Sequence, residues 1–557
     1  MKGMFDKVLV ANRGEIAVRV IRTLREMGIG SVAVYSSADR GALHVRLADE
    51  AVPIGPAPSA QSYLVVDNIL EACRRTGARA VHPGYGFLSE NPSLPAACEA
   101  AGVTFIGPDA DAMVAMGNKT AARARMVAAG VPVVPGAEAG SADDLAAAAQ
   151  RLGYPVMLKA AAGGGGKGMR FVERPDELRA AYERARSEAQ SAFGDDAVYV
   201  EKAIVKPRHV EIQVLADRHG STVHLFERDC SIQRRHQKVL EESPSPALGP
   251  ELRQRLCADA VRLARAAGYE NAGTAEFLVA EGELWFIELN ARLQVEHPVT
   301  ELVTGVDLVE QQLRVAAGER VDTVPTGAGH AVEVRLYAEH PLTFLPQAGV
   351  VERLALPDGI RVDAGVEAGD PVPVAYDPLI AKLVAHAPTR DEAFERLSGA
   401  LRATRVGGVT TNLPFLRWLV DHPEARAGRT TTAFLAEHPP LSRRRTAGEP
   451  WARYWRLNRD RREAPPARRP PPVLEIAAHV SDGPVERSIL KAPMPGTVIR
   501  VLAVEGDRVE PRQPLVILEA MKMETPLVSP YEAVVRRVHV AEGDQVAGGA
   551  VLVELEE

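Results

Sequence analysis

Residues 276–288 read Glu276-Phe-Leu-Val-Ala-Glu-Gly282-Glu-Leu-Trp-Phe-Ile-Glu288, a stretch typical of a β-hairpin that turns at Gly282. Pairing symmetric about Gly282 places Glu276 directly opposite Glu288, with Cβ atoms roughly 4.5–5.5 Å apart. Two carboxylates so close repel each other unless a cation lies between them or one is protonated. Because Mg²⁺ is bound through one or two carboxylates plus substrate phosphates, the pair predicts a nucleotide-metal site. The alternative, an exposed acidic sheet edge, is disfavoured because the aromatic residues of both strands require burial.

Polar residues continue beyond the hairpin at every second position. The side chains predicted to share one face are Glu288, Asn290, Arg292, Gln294 and Glu296, and apolar residues separate them. This period of two predicts a half-buried strand through residues 288–296 with its whole polar set on one side.

A glycine run follows an apolar segment that begins at Val156, and it reads Lys159-Ala-Ala-Ala-Gly-Gly-Gly-Gly-Lys167. The amides of such a loop can close on phosphate oxygens, and the flanking lysines offset their charge. It is not a Walker motif, because no Ser or Thr follows a Gly-Lys at the required spacing. Alone, a glycine run is more often a flexible loop. In the same chain as the paired glutamates, we interpret it as a lid over ATP.

Residues 228–238 (Arg-Asp-Cys-Ser-Ile-Gln-Arg-Arg-His-Gln-Lys) combine cationic and amide side chains. This chemistry suits ribose, phosphates or a small anion. A solvated basic loop is an equally good interpretation of these residues taken by themselves.

Three features outline the domain organisation. Residues 7–35 read as strand, helix and strand, which predicts a parallel sheet with helical cover, and the alternation continues to about residue 440. Residues 441–473 are rich in proline and arginine, typical of a stiff solvated linker. Within it, Trp451, Tyr454 and Trp455 indicate either an anchor for a partner or a helix packed on its own domain.

The C-terminal residues contain a tandem repeat. A shift of 37 positions superimposes Glu505-Gly-Asp507 on Glu542-Gly-Asp544 and Ala492-Pro493 on Ser529-Pro530. Each copy reads as short apolar strands separated by Gly and Pro, which predicts a small flattened β-barrel or sandwich. Lys522, in Glu519-Ala-Met-Lys-Met-Glu524, falls in the turn that joins the two halves, where it would present an amine.

Composition excludes several classes of protein. The 557 residues provide for several domains, and the net charge of −7 comes from mixed acids and bases, so no basic stripe indicates nucleic acid. The first residues lack the apolar run of a signal peptide, and no stretch approaches the ~20 apolar residues of a membrane span. We therefore expect a cytoplasmic protein whose four cysteines are reduced.

Two motifs in the repeat resemble the biotinyl carrier domains of biotin-dependent carboxylases: Ala520-Met-Lys-Met523 and Pro493-Met-Pro-Gly496. Lipoyl domains share that fold, but a methionine on each side of the lysine favours biotin. Residues 4–440 resemble the biotin carboxylase component of the same enzymes, an ATP-grasp enzyme. The supporting motifs are His82-Pro-Gly-Tyr-Gly-Phe-Leu-Ser-Glu-Asn91, Arg208-His-Val-Glu-Ile-Gln213 and Asn290-Ala-Arg-Leu-Gln-Val-Glu-His297.

The resemblance implies a set of site residues. Those implied for ATP are Lys119, Lys159, Gly164, Gly165, Gly166, Glu201, Ile204, His209, Gln233 and His236. The metal, Mg²⁺ or Mn²⁺, is implied at Glu276 and Glu288 with Asn290 beside them. Bicarbonate is implied at Lys238, Arg292, Gln294 and Val295, with Glu296 as general base. Arg335 is implied to stabilise the biotin enolate, and Lys522 to carry covalent biotin. His340 departs from the family, which commonly has aspartate there before proline, and this puts the local loop contacts in doubt.

The implied fold is α/β and multi-domain. It comprises a Rossmann-like N-terminal domain (1–117), an ATP-grasp domain (118–330), an α+β C-terminal carboxylase domain (331–440), a linker that is possibly a remnant of a docking domain (441–487) and an all-β, lipoyl-like biotinyl domain (488–557).

The implied function is ATP- and bicarbonate-dependent carboxylation of biotin on Lys522. Nothing resembles a carboxyltransferase, so we expect a separate carboxyltransferase β-subunit of an acetyl-, propionyl- or other acyl-CoA carboxylase, together with a biotin protein ligase. The alternatives are the α-subunit of a methylcrotonyl-CoA carboxylase or of a pyruvate carboxylase-type enzyme. The carboxylase part is expected to be a homodimer within a hetero-oligomer. A carrier scaffold without catalysis, or an ATP-grasp ligase joining a carboxylate to an amine, would be different classes of protein; the intact glutamate set opposes the first and the Lys522 domain opposes the second.

Overall fold

The computed structural model describes most of the chain in two compact units. The described residues are 4–117, 119–138, 141–161, 169–193, 195–234, 237–322, 326–440, 442–444, 474–476, 489–520 and 523–556. The first unit comprises Met1–Val334, Leu383–Leu397 and Gly428–His438. The second comprises Arg335–Lys382, Ser398–Ala427 and Pro439–Glu557.

The first unit begins with a parallel sheet in the strand order β3-β2-β1-β4-β5. Its elements are β1 (Lys7–Val10), α1 (Gly14–Glu26), β2 (Gly30–Ser36), α2 (Leu43–Leu47), β3 (Glu50–Gly55), α3 (Val66–Thr76), β4 (Ala80–His82), α4 (Ser93–Ala100), β5 (Thr104–Phe105) and α5 (Ala110–Gly117). Valines and isoleucines of β1 and α1 are fully buried together, as expected for a parallel sheet covered by helices. The predicted βαβ unit at residues 7–35 is therefore confirmed.

Two antiparallel sheets follow in the same unit. The smaller has the order β6-β9-β7-β8, and the larger contains β14-β13-β10-β11-β12 and continues into β15. The elements are α6 (Lys119–Ala128), β6 (Gly136–Glu138), α7 (Ala142–Leu152), β7 (Val156–Ala160), β8 (Arg170–Val172), α8 (Leu178–Phe193), β9 (Val198–Lys202), β10 (Arg208–Ala216), β11 (Thr222–Arg234), β12 (Gln237–Ser243), α9 (Pro250–Ala266), β13 (Asn271–Ala280), β14 (Glu283–Asn290), α10 (His297–Thr304) and α11 (Leu308–Ala316). The side chains predicted to bind ligands come mainly from β10 to β14.

Residues 326–440 supply elements to both units. They are β15 (His330–Tyr337), β16 (Gly349–Val350), β17 (Arg353–Ala355), β18 (Arg361–Ala364), β19 (Pro371–Val372), β20 (Leu379–Ala387), α12 (Arg390–Ala403), β21 (Arg405–Gly407), α13 (Leu413–Val420), α14 (Pro423–Arg426) and α15 (Phe434–Glu437). In the second unit, β16 pairs with β19 and β17 with β21. There Phe344 packs edge to face on Phe415, with ring centroids 4.9 Å apart, and Phe415 stacks on Trp418, with centroids 5.7 Å apart.

Most of the predicted linker, including Trp451, Tyr454 and Trp455, lies outside the described residues. Within it, β22 (Ser442–Arg444) and β23 (Leu474–Ile476) form a parallel pair. The prediction of a stiff solvated linker stays a prediction for most of 441–473, but residues 442–444 pair with a strand more than thirty positions downstream.

The C-terminal repeat folds as two four-stranded sheets, β24-β31-β29-β26 and β28-β27-β25-β30. The strands are β24 (Ile489–Lys491), β25 (Gly496–Val501), β26 (Arg508–Val509), β27 (Pro514–Ala520), β28 (Met523–Val528), β29 (Ala533–Val538), β30 (Gln545–Val546) and β31 (Val551–Glu556). The two copies exchange equivalent hydrogen bonds, because Gly506 N donates to Val535 O and Gly543 N donates to Val498 O. The two donors are 37 positions apart in the chain, and so are the two acceptors. The predicted two-fold sandwich is confirmed. Lys522 itself lies outside the described residues, between β27 and β28.

The four cysteines, Cys73, Cys98, Cys230 and Cys257, are buried free thiols, as expected. Among the helices that the structure places, none combines the length and hydrophobicity needed to span a bilayer.

His340 closes the loop that follows β15. Its Nδ1 accepts hydrogen bonds from the backbone N–H groups of Leu342 and Thr343, both at 3.2 Å. An aspartate carboxylate makes the same bonds in a turn of this kind, so histidine preserves the loop that its presence had put in doubt. The bonds require an unprotonated Nδ1, and burial lowers the pKa of His340 from its usual range.

We therefore predict an acid-sensitive loop. Because the pKa of His340 is depressed in the folded state, its stabilising bonds are fully present above the unfolded pKa near 6.5 and are lost as pH falls below that value. His340→Asp and His340→Asn, which keep an acceptor that does not titrate there, should reduce the fall in urea midpoint between pH 7.5 and pH 5.5. An unchanged pH dependence in both variants would contradict this assignment, and His340→Ala should lower the midpoint at both pH values.

Candidate functional site

Glu276 and Glu288 are direct cross-strand partners on β13 and β14, as the sequence predicted. The turn, however, is not centred on Gly282. Ala280 pairs with Glu283, so Glu281 and Gly282 form a two-residue turn, and both have positive φ (52° and 81°). A bulge between Glu276 and Phe277 restores the expected register. Glu276 and Glu288 are therefore cross-strand partners through a turn and a bulge together.

The strand predicted through residues 288–296 is too long. β14 ends at Asn290, and residues 291–296 form an irregular connection to α10. Pro298 lies in the first turn of α10 and Glu296 is its N-cap, so the chain leaves the extended conformation before this point. Asn290, Gln294 and Glu296 are nevertheless all buried.

The ammonium group of Lys238 lies at the centre of the site. Its Nζ is 2.5 Å from Glu211 Oε2, 2.8 Å from Glu276 Oε1 and 2.6 Å from Glu296 Oε1. It also donates to Gln294 Oε1 at 3.3 Å, and Gln294 Nε2 donates to Glu276 Oε1 at 3.0 Å. These five residues, which we call the lysine cluster, share a single buried network.

Charge and burial oppose each other within the lysine cluster. Burial alone lowers the pKa of Lys238, but the three carboxylates raise it well above the usual value. Burial raises the pKa of Glu276, whereas Lys238 and His209 hold it well below normal. Lys238 therefore stays charged and Glu276 stays ionised.

Glu211 was not predicted from the sequence. It is fully buried on β10, and its second oxygen accepts from Arg228 Nε at 2.5 Å. Arg228 also donates to Gln213, Thr300 and Thr274 at 2.8, 2.9 and 3.1 Å. Glu211 belongs to the Arg208–Gln213 motif, but nothing in that motif indicates that its carboxylate contacts Lys238. The described residues of this stretch, 228–234 and 237–238, lie on β11 and β12, and for Arg228 the interpretation as a solvated loop residue is wrong.

His209 extends the network on β10. Its Nε2 lies 3.0 Å from Glu276 Oε2, and Gln233 Nε2 lies 2.8 Å from its Nδ1. Burial lowers the pKa of His209, but the adjacent Glu276 carboxylate outweighs it and raises the pKa above normal. His209 and Gln233, both expected to bind ATP, are thus in one network with Glu276, which is expected to bind the metal.

Arg292 is fixed from two directions. Its Nε lies 3.1 Å from Glu90 Oε2, and its guanidinium donates to Leu293 O at 3.2 Å and to Asn290 Oδ1 at 3.3 Å. Glu90 belongs to the His82–Asn91 motif, which therefore positions a side chain predicted to bind bicarbonate. Asn290 Nδ2 is buried with no hydrogen-bond partner among the residues that the structure describes.

A second group of charges lies between β7 and β9. Glu201 accepts from Lys159 Nζ at 2.5 Å through one oxygen and from Arg123 Nη1 at 3.2 Å through the other. A Cβ atom at Gly136 would lie 2.8 Å from Glu201 Cγ, so only glycine leaves room for this side chain. Arg123, on α6, was not predicted, because an arginine on a helix surface is usually solvated.

The remaining predicted residues lie as follows. Ile204 follows β9, Val295 lies between Gln294 and Glu296, and Arg335 is buried on β15 in the second unit. Outside the described side chains are Lys119, Gly164, Gly165, Gly166, His236 and Lys522.

Comparisons with known sequences agree with this architecture. Residues 4–113 match the biotin carboxylase N-terminal domain, 118–324 the carbamoyl-phosphate synthase L chain ATP-binding domain, 333–437 the biotin carboxylase C-terminal domain, and 488–555 the biotin-requiring enzyme family. A biotin carboxylase from Halalkalibacterium halodurans is 51% identical over 444 residues, which cover 78% of this chain and 98% of the relative. The chain belongs to the biotin carboxylase family.

Other relatives are parts of larger enzymes. The mitochondrial methylcrotonoyl-CoA carboxylase subunit alpha of Rattus norvegicus is 50% identical over 447 residues, covering 78% of this chain and 62% of the relative. The biotin carboxylase domain dimer of Hydrogenobacter thermophilus 2-oxoglutarate carboxylase, solved with MgADP, ADP and bicarbonate, has a TM-score of 0.76 at 45% identity, covering 78% of this chain and 98% of that chain.

These findings confirm the fold class: Rossmann-like, ATP-grasp and C-terminal biotin carboxylase domains, followed by an all-β biotinyl domain. The protein is an ATP-dependent biotin carboxylase of a biotin-dependent carboxylase, and its cofactors are biotin, ATP and Mg²⁺.

We predict that Arg123 controls nucleotide affinity in this biotin carboxylase by holding Glu201. A hydrogen bond to a charged group contributes ~1.5–3 kcal/mol, so Arg123→Gln should raise the KM for ATP about tenfold with little change in kcat. Arg123→Lys should restore most of the affinity. The measurement is ATP hydrolysis stimulated by free biotin, and Arg125→Gln, an exposed change on the same helix, is the matched control. A loss confined to kcat would contradict the prediction.

Proposed function

We propose that the chain carboxylates biotin attached to Lys522, using ATP and bicarbonate, and supplies a separate carboxyltransferase β-subunit of an acetyl- or propionyl-CoA carboxylase. The observation that carries this proposal is the lysine cluster, in which Lys238 and Glu296 share one buried site with Glu276. It supports bicarbonate activation on the same chain as a biotinyl domain.

Bicarbonate would bind between Lys238, Arg292, Gln294 and Val295. Two cations and an amide suit a small planar anion, and Arg292 is already oriented by Glu90 and Asn290. Glu296 would remove the bicarbonate proton, since its carboxylate lies 2.6 Å from Lys238, which favours the ionised form. The bicarbonate oxyanion would then attack the γ-phosphorus of ATP, and the bond from that phosphorus to ADP would break, which leaves carboxyphosphate and ADP.

The residues present fit Mg²⁺ and nucleotide. Glu276 and Glu288 are cross-strand partners, and the buried, unpartnered Asn290 Nδ2 is a donor suited to a phosphate oxygen. Mg²⁺ or Mn²⁺ would neutralise charge on the phosphates when bound. Asn290 Oδ1 accepts from Arg292, so this amide would have to rotate to serve as a metal ligand.

The other nucleotide contacts would come from the second charged group and the glycine loop. Lys159, Glu201, Ile204, His209, Gln233 and His236 would hold ATP, with Lys119 and the loop residues Gly164, Gly165 and Gly166 at its phosphates. Lys159 is bound to Glu201, so phosphates would compete with that carboxylate for its ammonium. Loop closure would keep water from the activated bicarbonate.

Arg335 would stabilise negative charge on biotin. The prosthetic group would supply a nucleophilic ureido nitrogen and carry the carboxyl group to the acceptor site. Asn412 Nδ2 donates to Arg335 O at 3.0 Å and fixes the backbone there. A biotin protein ligase would attach biotin at Lys522.

The acceptor and the assembly are further parts of the proposal. Relatives carry the names of methylcrotonoyl-CoA and 2-oxoglutarate carboxylases, so an α-subunit for another acyl-CoA, or of a pyruvate carboxylase-type enzyme, is the second candidate. We place the enzyme in the cytoplasm, as a homodimeric carboxylase within a hetero-oligomer. Co-purification of the native complex, followed by a panel of acyl-CoA and 2-oxoacid acceptors, would identify the substrate.

We predict that Glu296→Ala abolishes bicarbonate-dependent ATP hydrolysis and leaves nucleotide binding largely intact, because the general base is lost while the phosphate contacts remain. General-base catalysis contributes about 10²–10⁴-fold, so residual activity should fall at least a hundredfold in a phosphate-release assay. Near-normal turnover would refute the role of Glu296.

We also predict that Lys522→Arg preserves ATP cleavage with added free biotin and removes all carboxyl transfer to an acyl-CoA, because arginine cannot accept biotin through an amide bond. Avidin blotting is the control. A variant chain that avidin still detects would show that another lysine carries biotin.

A further inference from the structure

An apolar surface in the second unit lies close to one corner of the biotinyl domain. Pro346, Gln347, Ala348, Pro373, Val374, Tyr376 and Pro378, which we call the proline patch, line a small cavity together with Pro495. All of these residues belong to the second unit. Val374 remains 40% exposed, whereas Pro346, Tyr376 and Pro378 of the patch are buried.

The proline patch adjoins the strand that carries Arg335. Ala338 N donates to Pro378 O at 3.0 Å, and Gln347 N donates to Ala338 O at 2.8 Å. Asp377 lies between Tyr376 and Pro378. Burial raises the pKa of Tyr337, and the Asp377 carboxylate raises it further. Tyr337 in turn forms a hydrogen bond with Arg335. The patch therefore lies beside the residue proposed to act on biotin.

Pro495 lies at the end of the biotinyl domain that bears Lys522. It immediately precedes β25, whose Thr497 pairs with Glu519 on β27, and Ala520 at the end of β27 pairs with Met523. The chain between Ala520 and Met523 contains Lys522. Pro495 therefore lies next to the paired strands β25 and β27, near the end of β27 after which Lys522 follows in the sequence.

We propose that the proline patch is the docking surface for the biotin-bearing end of the biotinyl domain, with Pro495 as its contact. This inference rests on the proposed function, in which Lys522 carries biotin that must reach Arg335. An uncharged proline corner matches an uncharged patch. Prolines lose little conformational entropy on contact, and the covalent tether provides a high effective concentration.

A contact made by one proline on a small patch is weak by itself, which suits a domain that must leave again. The tether compensates for the small buried area, so the carboxylation rate depends on the fraction of time the domain is docked. Loss of the contact should slow carboxylation of the chain's own biotin and leave free biotin unaffected, because free biotin needs no docking.

The test compares two reactions of the full-length biotinylated chain. The first is single-turnover incorporation of labelled bicarbonate into its own biotin, and the second is ATP hydrolysis stimulated by free biotin. Val374→Asp places a charge in the patch and should slow the first reaction about tenfold, as expected for loss of ~1.4 kcal/mol, with the second unchanged within about twofold. Val350→Asp, at another exposed valine of the same unit, is the matched control and should change neither.

A carrier variant tests the other side of the contact. Pro495→Ala should slow the first reaction alone, and combined with Val374→Asp it should add no further loss, because contacting residues are not additive. Avidin detection of Pro495→Ala shows that its biotinyl domain is folded. Equal rates for Val374→Asp and Val350→Asp, or an additive double variant, would overturn the docking surface. A wild-type chain that takes no label onto its own biotin would instead overturn the proposed function.

Discussion

The ammonium group of Lys238 holds three buried carboxylates together, and the first unit depends on this interaction at its centre. Without it, Glu211, Glu276 and Glu296 would repel one another in a region from which water is excluded. Arg228 donates to Glu211, and His209 Nε2 lies 3.0 Å from Glu276 Oε2. Buried charges are tolerated when they are paired and hydrogen-bonded in this way, whereas removal of one partner leaves a costly unpaired charge.

The sheet explains how so many charges can meet. Glu211, Arg228, Lys238 and Glu276 lie on β10, β11, β12 and β13, which are contiguous in the strand order β13-β10-β11-β12. Side chains on one face of adjacent strands approach within contact distance and are held by the backbone ladder. A site built on strands is more rigid than one built on loops, which suits chemistry that depends on positioning and electrostatics.

The biotinyl domain is stabilised by turn hydrogen bonds and an apolar core rather than by buried charges. Its two copies satisfy each other's turn hydrogen bonds and bury a common apolar core. This yields a module of fewer than one hundred residues with a hydrophobic core of its own. Biotin can then be presented on a turn, and its reaction partners are reached through brief contacts that a tether makes effective.

The hairpin of residues 276–288 shows which features of the site could be predicted from local sequence and which could not. Local sequence predicted the pairing of Glu276 with Glu288, but not the two-residue turn and the bulge that together produce it. Beyond Asn290 the period-two pattern persisted although the strand ended, because Glu296 and Pro298 begin a helix. A pattern of polar residues reports which side chains share an environment and does not report where a strand stops.

By itself the sequence determined the parallel βαβ beginning, the two-fold repeat, the paired glutamates and the motifs that placed the chain among biotin carboxylases. Each of these is encoded by short-range periodicity or by a contiguous motif. Only the tertiary structure decided that Glu211 and Arg228 support Lys238, that Glu90 orients Arg292 and that Arg123 holds Glu201. These pairs are separated by 17 to about 200 positions in the chain, and the sequence does not show which charged residues contact each other. Their roles arise from burial and from the order of strands in the sheet, which are properties of the assembled fold.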